Sequence, residues 1–151
     1  MTLVIREAIP NDALSIHQLH TASVRELCSS HYSAEAIDGW LKGRTPEGYR
    51  GIAKKEMFVI EKNKEIVGFS HVIPGVIVAL FVHPKFSKEG IGTKLMNHAI
   101  MKARENWQDP IKLEATLNAQ AFYEKFGFQK IKDKEVQRNN IFLHVVLMEL
   151  A

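Results

Sequence analysis

The chain has 151 residues, 46% hydrophobic and 25% charged, the proportions of one globular domain with its own core and too short for two ordinary ones. The 20 Lys and Arg exceed the 17 Asp and Glu by only three, and the basic residues are scattered, which excludes a nucleic-acid footprint while suiting an anionic small ligand. The single cysteine, Cys28, excludes an internal disulfide, the start from Thr2 to Glu7 shows no signal-peptide core, and no apolar run approaches the ~20 residues of a membrane span, so a cytoplasmic protein is expected.

The chain opens with a strand at Thr2–Ala8. Pro10-Asn11-Asp12 then turns and caps a helix to about Leu27, with Ile16, Leu19, Ser23 and Leu27 along one face. After a break at Ser29–Tyr32, Ser33 with Glu35-Ala36 caps a second helix that ends at Leu41 or Lys42, before Gly43-Arg44. Thr45-Pro46-Glu47 starts a helical turn, proline being tolerated at its first position. Met57–Glu61 and Glu65–Ile73 read as strands joined at Asn63-Lys64, and Pro74-Gly75 turns into a third, Val76–Val82, giving an antiparallel meander. Ile91, Leu95, Ala99, Ala103 and Trp107 recur at every fourth residue and predict a long amphipathic helix. Asp109-Pro110 breaks it before a strand at Ile111–Ala115. A helix at Ala119–Lys125 is closed by Gly127, and Phe128–Val136 and Ile141–Leu150 form a last hairpin turned at Arg138-Asn139-Asn140.

Between the apolar strand Val76–Val82 and the long helix lies Ser87-Lys88-Glu89-Gly90-Ile91-Gly92-Thr93. A helix start carries unpaired N–H groups and partial positive charge, and glycine there lets an anion approach the main chain. Strand, glycine loop and helix start together predict a phosphate cradle. It is neither a Walker loop, since no Gly-Lys-Ser/Thr follows, nor a dinucleotide fingerprint, which needs a third glycine and a downstream acidic strand end.

A second window, Leu113 to Phe128, contains Asn118 and the run Phe122-Tyr123-Glu124-Lys125-Phe126-Gly127-Phe128. In order and spacing the two windows resemble the GNAT superfamily of N-acetyltransferases, with its Gln/Arg-x-x-Gly-x-Gly/Ala and Asn…Phe-Tyr-Glu-Lys-x-Gly-Phe signatures. Tyr32-Ser33 with Ile37 and Trp40 is similar to one branch of small bacterial members, so the resemblance spans nearly the whole chain. It implies one domain over residues 1–151, with a mixed, mostly antiparallel sheet of six to seven strands flanked by helices and splayed between the fourth and fifth strands. It also implies transfer of an acetyl group from acetyl-CoA to a primary amine of a small molecule or peptide, by direct attack in a ternary complex. Acetyl-CoA and an amine acceptor are the expected partners, with no metal, nucleic acid or membrane, in a monomer or homodimer.

Carried over residue by residue, the resemblance places the pyrophosphate on Ser87, Lys88, Glu89, Gly90, Ile91, Gly92 and Thr93. Ser87 stands where the family has glutamine or arginine, and Lys88 or Lys94 is expected to supply the missing attraction. Leu80, Phe81 and Val82 would offer main-chain N–H groups to the pantetheine arm and the thioester, an oxyanion-hole task. Asn118 would contact the pantetheine, and Tyr123 would give its proton to the departing thiolate, a phenol with pKa near ~10 being protonated at neutral pH. The position of the family's frequent base glutamate falls on Val76, so the base is sought among His71, Glu114, His31 and His144, with water as a further carrier. Tyr32, Trp40 and Tyr49 are candidates for the amine pocket, and Glu35 or Asp38 for attracting a cationic substrate. Two other readings stand beside this one: an acyl-CoA-binding sensor without catalysis, which Val76 and Ser87 favour and Tyr123 opposes, and transfer of a longer acyl group.

Overall fold

In a computed structural model, which describes residues 2–151, the apolar runs become seven strands: β1 (Leu3–Glu7), β2 (Met57–Lys62), β3 (Glu65–Ile73), β4 (Val76–Val82), β5 (Ile111–Ala115), β6 (Gln129–Arg138) and β7 (Ile141–Leu150). They form one sheet in the order β1-β2-β3-β4-β5-β7-β6. Every neighbouring pair is antiparallel except β4 and β5, which run parallel. The β2–β3–β4 meander and the closing hairpin stand where the sequence puts them.

Four helices accompany the sheet: α1 (Ala13–Leu27), α2 (Ala34–Leu41), α3 (Ile91–Arg104) and α4 (Gln120–Glu124). Because side chains alternate along a strand, neighbouring residues of the meander serve opposite faces. Val59 and Phe69 pack with Ile16 and Leu19 of α1, whereas Ile60 and Val67 pack with Ile91 and Leu95 of α3. The α1 face and the α3 face thus carry separate clusters, and among the described residues no helix is long and apolar enough to cross a membrane.

Two close approaches fix the outer elements. A Cβ on Gly39 would lie 2.0 Å from Cγ1 of Ile141, so only glycine lets α2 press onto β7. Asn139, left-handed at φ 55°, turns the hairpin and donates from Nδ2 to the carbonyls of Gly39 (2.6 Å) and Lys42 (2.9 Å), which caps α2 from the far end of the chain.

The long helix is shorter than its periodicity predicts. It ends at Arg104, Asn106 is left-handed (φ 56°), and Trp107 leaves the core face to be 39% exposed. The physical reason lies in the next strand. To bring Lys112 and Leu113 beside β4 the chain must reverse at once, and Trp107 instead covers Gly75, where a Cβ would meet the indole at 2.2 Å.

Candidate active site

The site begins with a defect in the sheet. His71 pairs with Ala79 and Val72 with Ile77, so Val78 is an extra residue on β4, a β-bulge. On the other side β4 meets β5 only at Val76↔Lys112 and Ile77↔Leu113. From Val78 onward the β5-facing edge of β4 has no strand partner, so the splay expected between the fourth and fifth strands is present and starts at the bulge. Backbone groups along such an edge seek hydrogen-bond partners.

One cavity, of about 470 Å³, opens into this wedge and is walled by β4, the glycine loop, the turn Leu117–Ala119 and α4. Leu80, Phe81 and Val82 line it, as do Ser87 and Gly92. Gly90, at φ +77°, is the left-handed cap that starts α3. Gly92 has no such backbone need: a Cβ there would sit 3.5 Å from Phe122 and 3.7 Å from Val82, ordinary contacts. The fold itself would accept a side chain at 92, and the bare position leaves room at the helix start for a ligand.

The rest of the loop divides. Ile91 is fully buried core, so only its main chain faces a ligand, while Lys88, Glu89 and Thr93 are exposed. Glu89 is paired with Lys62 at 2.5 Å, which neutralises a carboxylate that would oppose an anion. The ammonium of Lys94 donates to the Leu3 carbonyl at 3.3 Å, so of the two lysines considered for the missing attraction Lys94 is engaged elsewhere.

Asn118 and Tyr123 complete this wall. The Asn118 Oδ1 is buried with no hydrogen-bond partner, an acceptor that costs about 1–3 kcal/mol until something donates to it. Tyr123 is 7% exposed, and burial, with the neighbouring Cys28 adding a little, pushes its phenol up to about 12. Cys28 lines the same cavity, where burial pushes its thiol up to about 11.

A second cavity, of about 720 Å³, lies against the α1 face and shares Val78, Ala79, Phe81, Glu114 and Thr116 with the first. The two therefore meet around the bulge, and α1 reaches both, with His20 on the second and Ser23, Leu27 and its cap Cys28 on the first. Tyr32, Trp40, Tyr49, His71 and Glu114 all line this second cavity, so the sequence-derived acceptor residues are brought together. The Tyr32 hydroxyl is occupied: it donates to the His144 carbonyl at 2.6 Å and accepts from the Leu117 N–H at 3.1 Å. Its ring faces the cavity while its oxygen holds the turn that carries Asn118.

Histidines sort by partner. His71 Nε2 lies 2.9 Å from Glu56 Oε1, at the register position directly beyond the bulge. His144 is exposed and paired with Asp133 at 2.8 Å, and His31 sits on the first cavity against Ser30. His83 accepts from the Lys85 N–H and braces the turn after β4. Val76 is paired on both sides, with Ile73 and Lys112, below the wedge. Glu114 is ion-paired with Lys134, and Asp38 with Arg25; neither Glu35 nor Asp38 reaches a cavity wall.

Three residues carry weight that no sequence pattern marked. Glu56 stands just before β2 and meets His71 only because β2 and β3 pair. His20, on α1, is 5% exposed between Phe69 and Phe81; burial first, then Arg44 and His17, pushes its imidazole down to about 3. Arg44, which can only donate, lies 3.2 Å from His20 Nδ1, and the Tyr49 hydroxyl lies 3.0 Å from the same atom. The one available signal is the density of cations between Lys42 and Lys55.

Residues 28–150 match the family model described as an acetyltransferase (GNAT) domain. The uncharacterized N-acetyltransferase YafP of Escherichia coli (strain K12) is 28% identical over 133 residues, covering 88% of this chain and 85% of that protein. The structure of a GCN5-related N-acetyltransferase from Rhodopseudomonas palustris superposes with a TM-score of 0.86 at 23% identity, over 100% of this chain and 96% of that one. That of the PaiA N-acetyltransferase from Thermoplasma acidophilum, in complex with coenzyme A, gives a TM-score of 0.78 at 18% identity over 99% of each chain.

Proposed function

Because the chain belongs to the acetyltransferase (GNAT) family, we propose that it transfers an acetyl group from acetyl-CoA to a primary amine by direct attack in a ternary complex. The observation that carries this reading is the wedge between β4 and β5, where two cavities meet at a bulge and share Val78, Ala79, Phe81, Glu114 and Thr116. A reaction between two bound partners needs two sites that touch, and this defect provides the contact.

The wedge-side cavity is the acetyl-CoA site. The open main-chain N–H groups at the start of α3, beside the bare Gly92, receive the pyrophosphate, and Lys88 adds positive charge. The orphaned Asn118 Oδ1 accepts from an amide N–H of the pantetheine arm, which the unpaired edge of β4 also binds. The coenzyme A held by the Thermoplasma relative supports this assignment. When bound, acetyl-CoA supplies a thioester acyl group and a thiolate leaving group.

Tyr123 holds a proton at that wall. A phenol near 12 is a weak acid, but a thiol in the same dry cavity, Cys28, is itself pushed up to about 11. Burial disfavours the charged form of phenol and thiol alike, so a thiolate released against Tyr123 would be a stronger base than in water. On the acceptor side His71 is the base, with Glu56 accepting from Nε2 and leaving Nδ1 its lone pair. Main-chain N–H groups along the open edge of β4, at Leu80 to Val82, would polarise the carbonyl.

Gly92→Val tests the assignment. A Cβ there makes only ordinary contacts, and the two added methyls would fill the space at the helix start, so the variant should fold and lose the stabilisation that acetyl-CoA confers, about 2.7 kcal/mol at a hundredfold excess over its dissociation constant. Unchanged calorimetric affinity in the folded variant would overturn the cradle. A screen of amines for acetyl-CoA-dependent thiol release tests the reaction itself, and coenzyme binding without release for every amine would leave the non-catalytic reading.

A further inference from the structure

The walls of the acceptor cavity carry an unbalanced charge. Five cations line it, Lys42, Arg44, Arg50, Lys54 and Arg138. The carboxylates on the same wall are Glu56 and Glu114, and each already has a partner, His71 and Lys134 respectively. None of the five cations forms an ion pair with a carboxylate among the described residues.

This differs from a solvated charged face, where both signs are interspersed. In a cleft with low-dielectric walls, charges of one sign focus their field and raise the local concentration of the opposite ion. Here the low-dielectric part is supplied by Tyr32, Trp40, Tyr49, Phe69 and Phe81. Arg44 is moreover aimed. Its guanidinium is set by neutral His20 and has donors left over, a geometry that suits bidentate recognition of a carboxylate or phosphate.

We infer that the acceptor is a primary amine that also carries an anionic group, a carboxylate or a phosphate, held by this basic wall. The inference rests on the acyl-transfer reading of the same cavity and narrows its substrate class. It excludes polyamines as preferred acceptors, since a second positive charge would face five like charges. The same positive field helps the chemistry, because it favours the neutral form of the attacking amine over the ammonium.

The test is equilibrium binding by calorimetry of matched probes, on the full chain with and without coenzyme A. For the carboxylate arm N-acetylphenylalanine is compared with N-acetylphenylalaninamide; for the phosphate arm O-phosphoethanolamine is compared with ethanolamine. The anionic member of at least one pair should bind about tenfold more tightly or better, as charge-assisted hydrogen bonds imply. That preference should shrink as salt rises from about 0.02 to about 0.5 M, where screening shortens the reach of exposed charges.

Which arm shows the preference identifies the anion. The double variant Arg50→Gln, Lys54→Gln should reduce the preference several-fold while leaving coenzyme A affinity unchanged, because both residues line only the acceptor cavity. Equal or absent binding of both members in both pairs would overturn the inference, as would a preference that neither salt nor the double variant reduces. Loss of coenzyme A affinity in the parent would instead sink the transferase reading, and the probe preference would still be read on the free chain.

Discussion

The two cavities that meet at Val78 are built on different principles. On the wedge side the wall is mostly main chain and uncharged side chains, with the shared, ion-paired Glu114 at its border: an unpaired strand edge, a helix start, a bare glycine and an orphaned amide oxygen. On the α1 side it is charged and aromatic side chains drawn from α1, α2, the 42–56 segment, β3, β5 and the closing hairpin. A ligand read by backbone is insensitive to most substitutions, whereas one read by side chains can be exchanged by changing a few of them. Under the proposed function, this division would let the cosubstrate stay fixed while the acceptor site is free to differ.

The sharpest way to break this contrast is to show that a side chain on the wedge side governs only packing. Tyr123→Phe keeps the ring and removes the hydroxyl, so coenzyme affinity should hold while the single-turnover rate falls about 100- to 10,000-fold. With the phenol pushed up to about 12, Tyr123 stays protonated across the working range, and it should contribute no high-pH limb there. An unchanged single-turnover rate would make Tyr123 a packing residue.

Next in size is the cost of the acceptor side's buried imidazole. His20 is pushed down to about 3, whereas an unfolded histidine titrates near ~6.5. Between those values the unfolded chain binds a proton that the folded chain does not. Stability is therefore complete above the upper value and declines as pH falls through the window, by roughly 5 kcal/mol in all. His20→Asn, which keeps an acceptor near the Nδ1 position, should flatten that part of a urea-denaturation pH series. An equal slope in the variant would mean that other groups set the acid sensitivity.

Tyr32 tests whether the two sides are independent. Its ring lines the acceptor cavity, but its hydroxyl joins the His144 carbonyl to the Leu117 N–H. Tyr32→Phe leaves both main-chain partners without it and should cost about 1–3 kcal/mol in denaturant melts. Because Leu117 begins the turn that carries Asn118, coenzyme affinity should fall as well. Loss of stability with unchanged affinity would show that the turn holds its shape alone.

The smallest effect belongs to Lys88, the exposed lysine left to supply charge at the glycine loop. Lys88→Gln should weaken coenzyme A binding by no more than the ~1 kcal/mol typical of exposed ionic contacts, and less in high salt. A larger loss would show that side-chain charge, rather than the helix start, holds the pyrophosphate.

Much of this protein was determined locally and is legible in its sequence. The meander follows from alternating apolar runs and tight turns, and Gly90-Ile91-Gly92 with Asn118 and Phe122-Tyr123 marks the wedge side because a glycine loop opening a helix and a short helix closed by glycine are local patterns. Where a local pattern met a distant demand, it yielded. The helix periodicity ran on to Trp107, but the reversal into β5 and the contact with Gly75 ended the helix at Arg104. The acceptor side was settled only by tertiary structure. Glu56 reaches His71 across a strand pair, Arg44 meets His20 from 24 residues away, and Glu35 and Asp38, acidic and near the aromatic residues in sequence, are off both cavity walls. The sign of that pocket depends on which charges already have partners. Pairing is a property of three-dimensional neighbours, and composition alone, at a net +3, does not contain it.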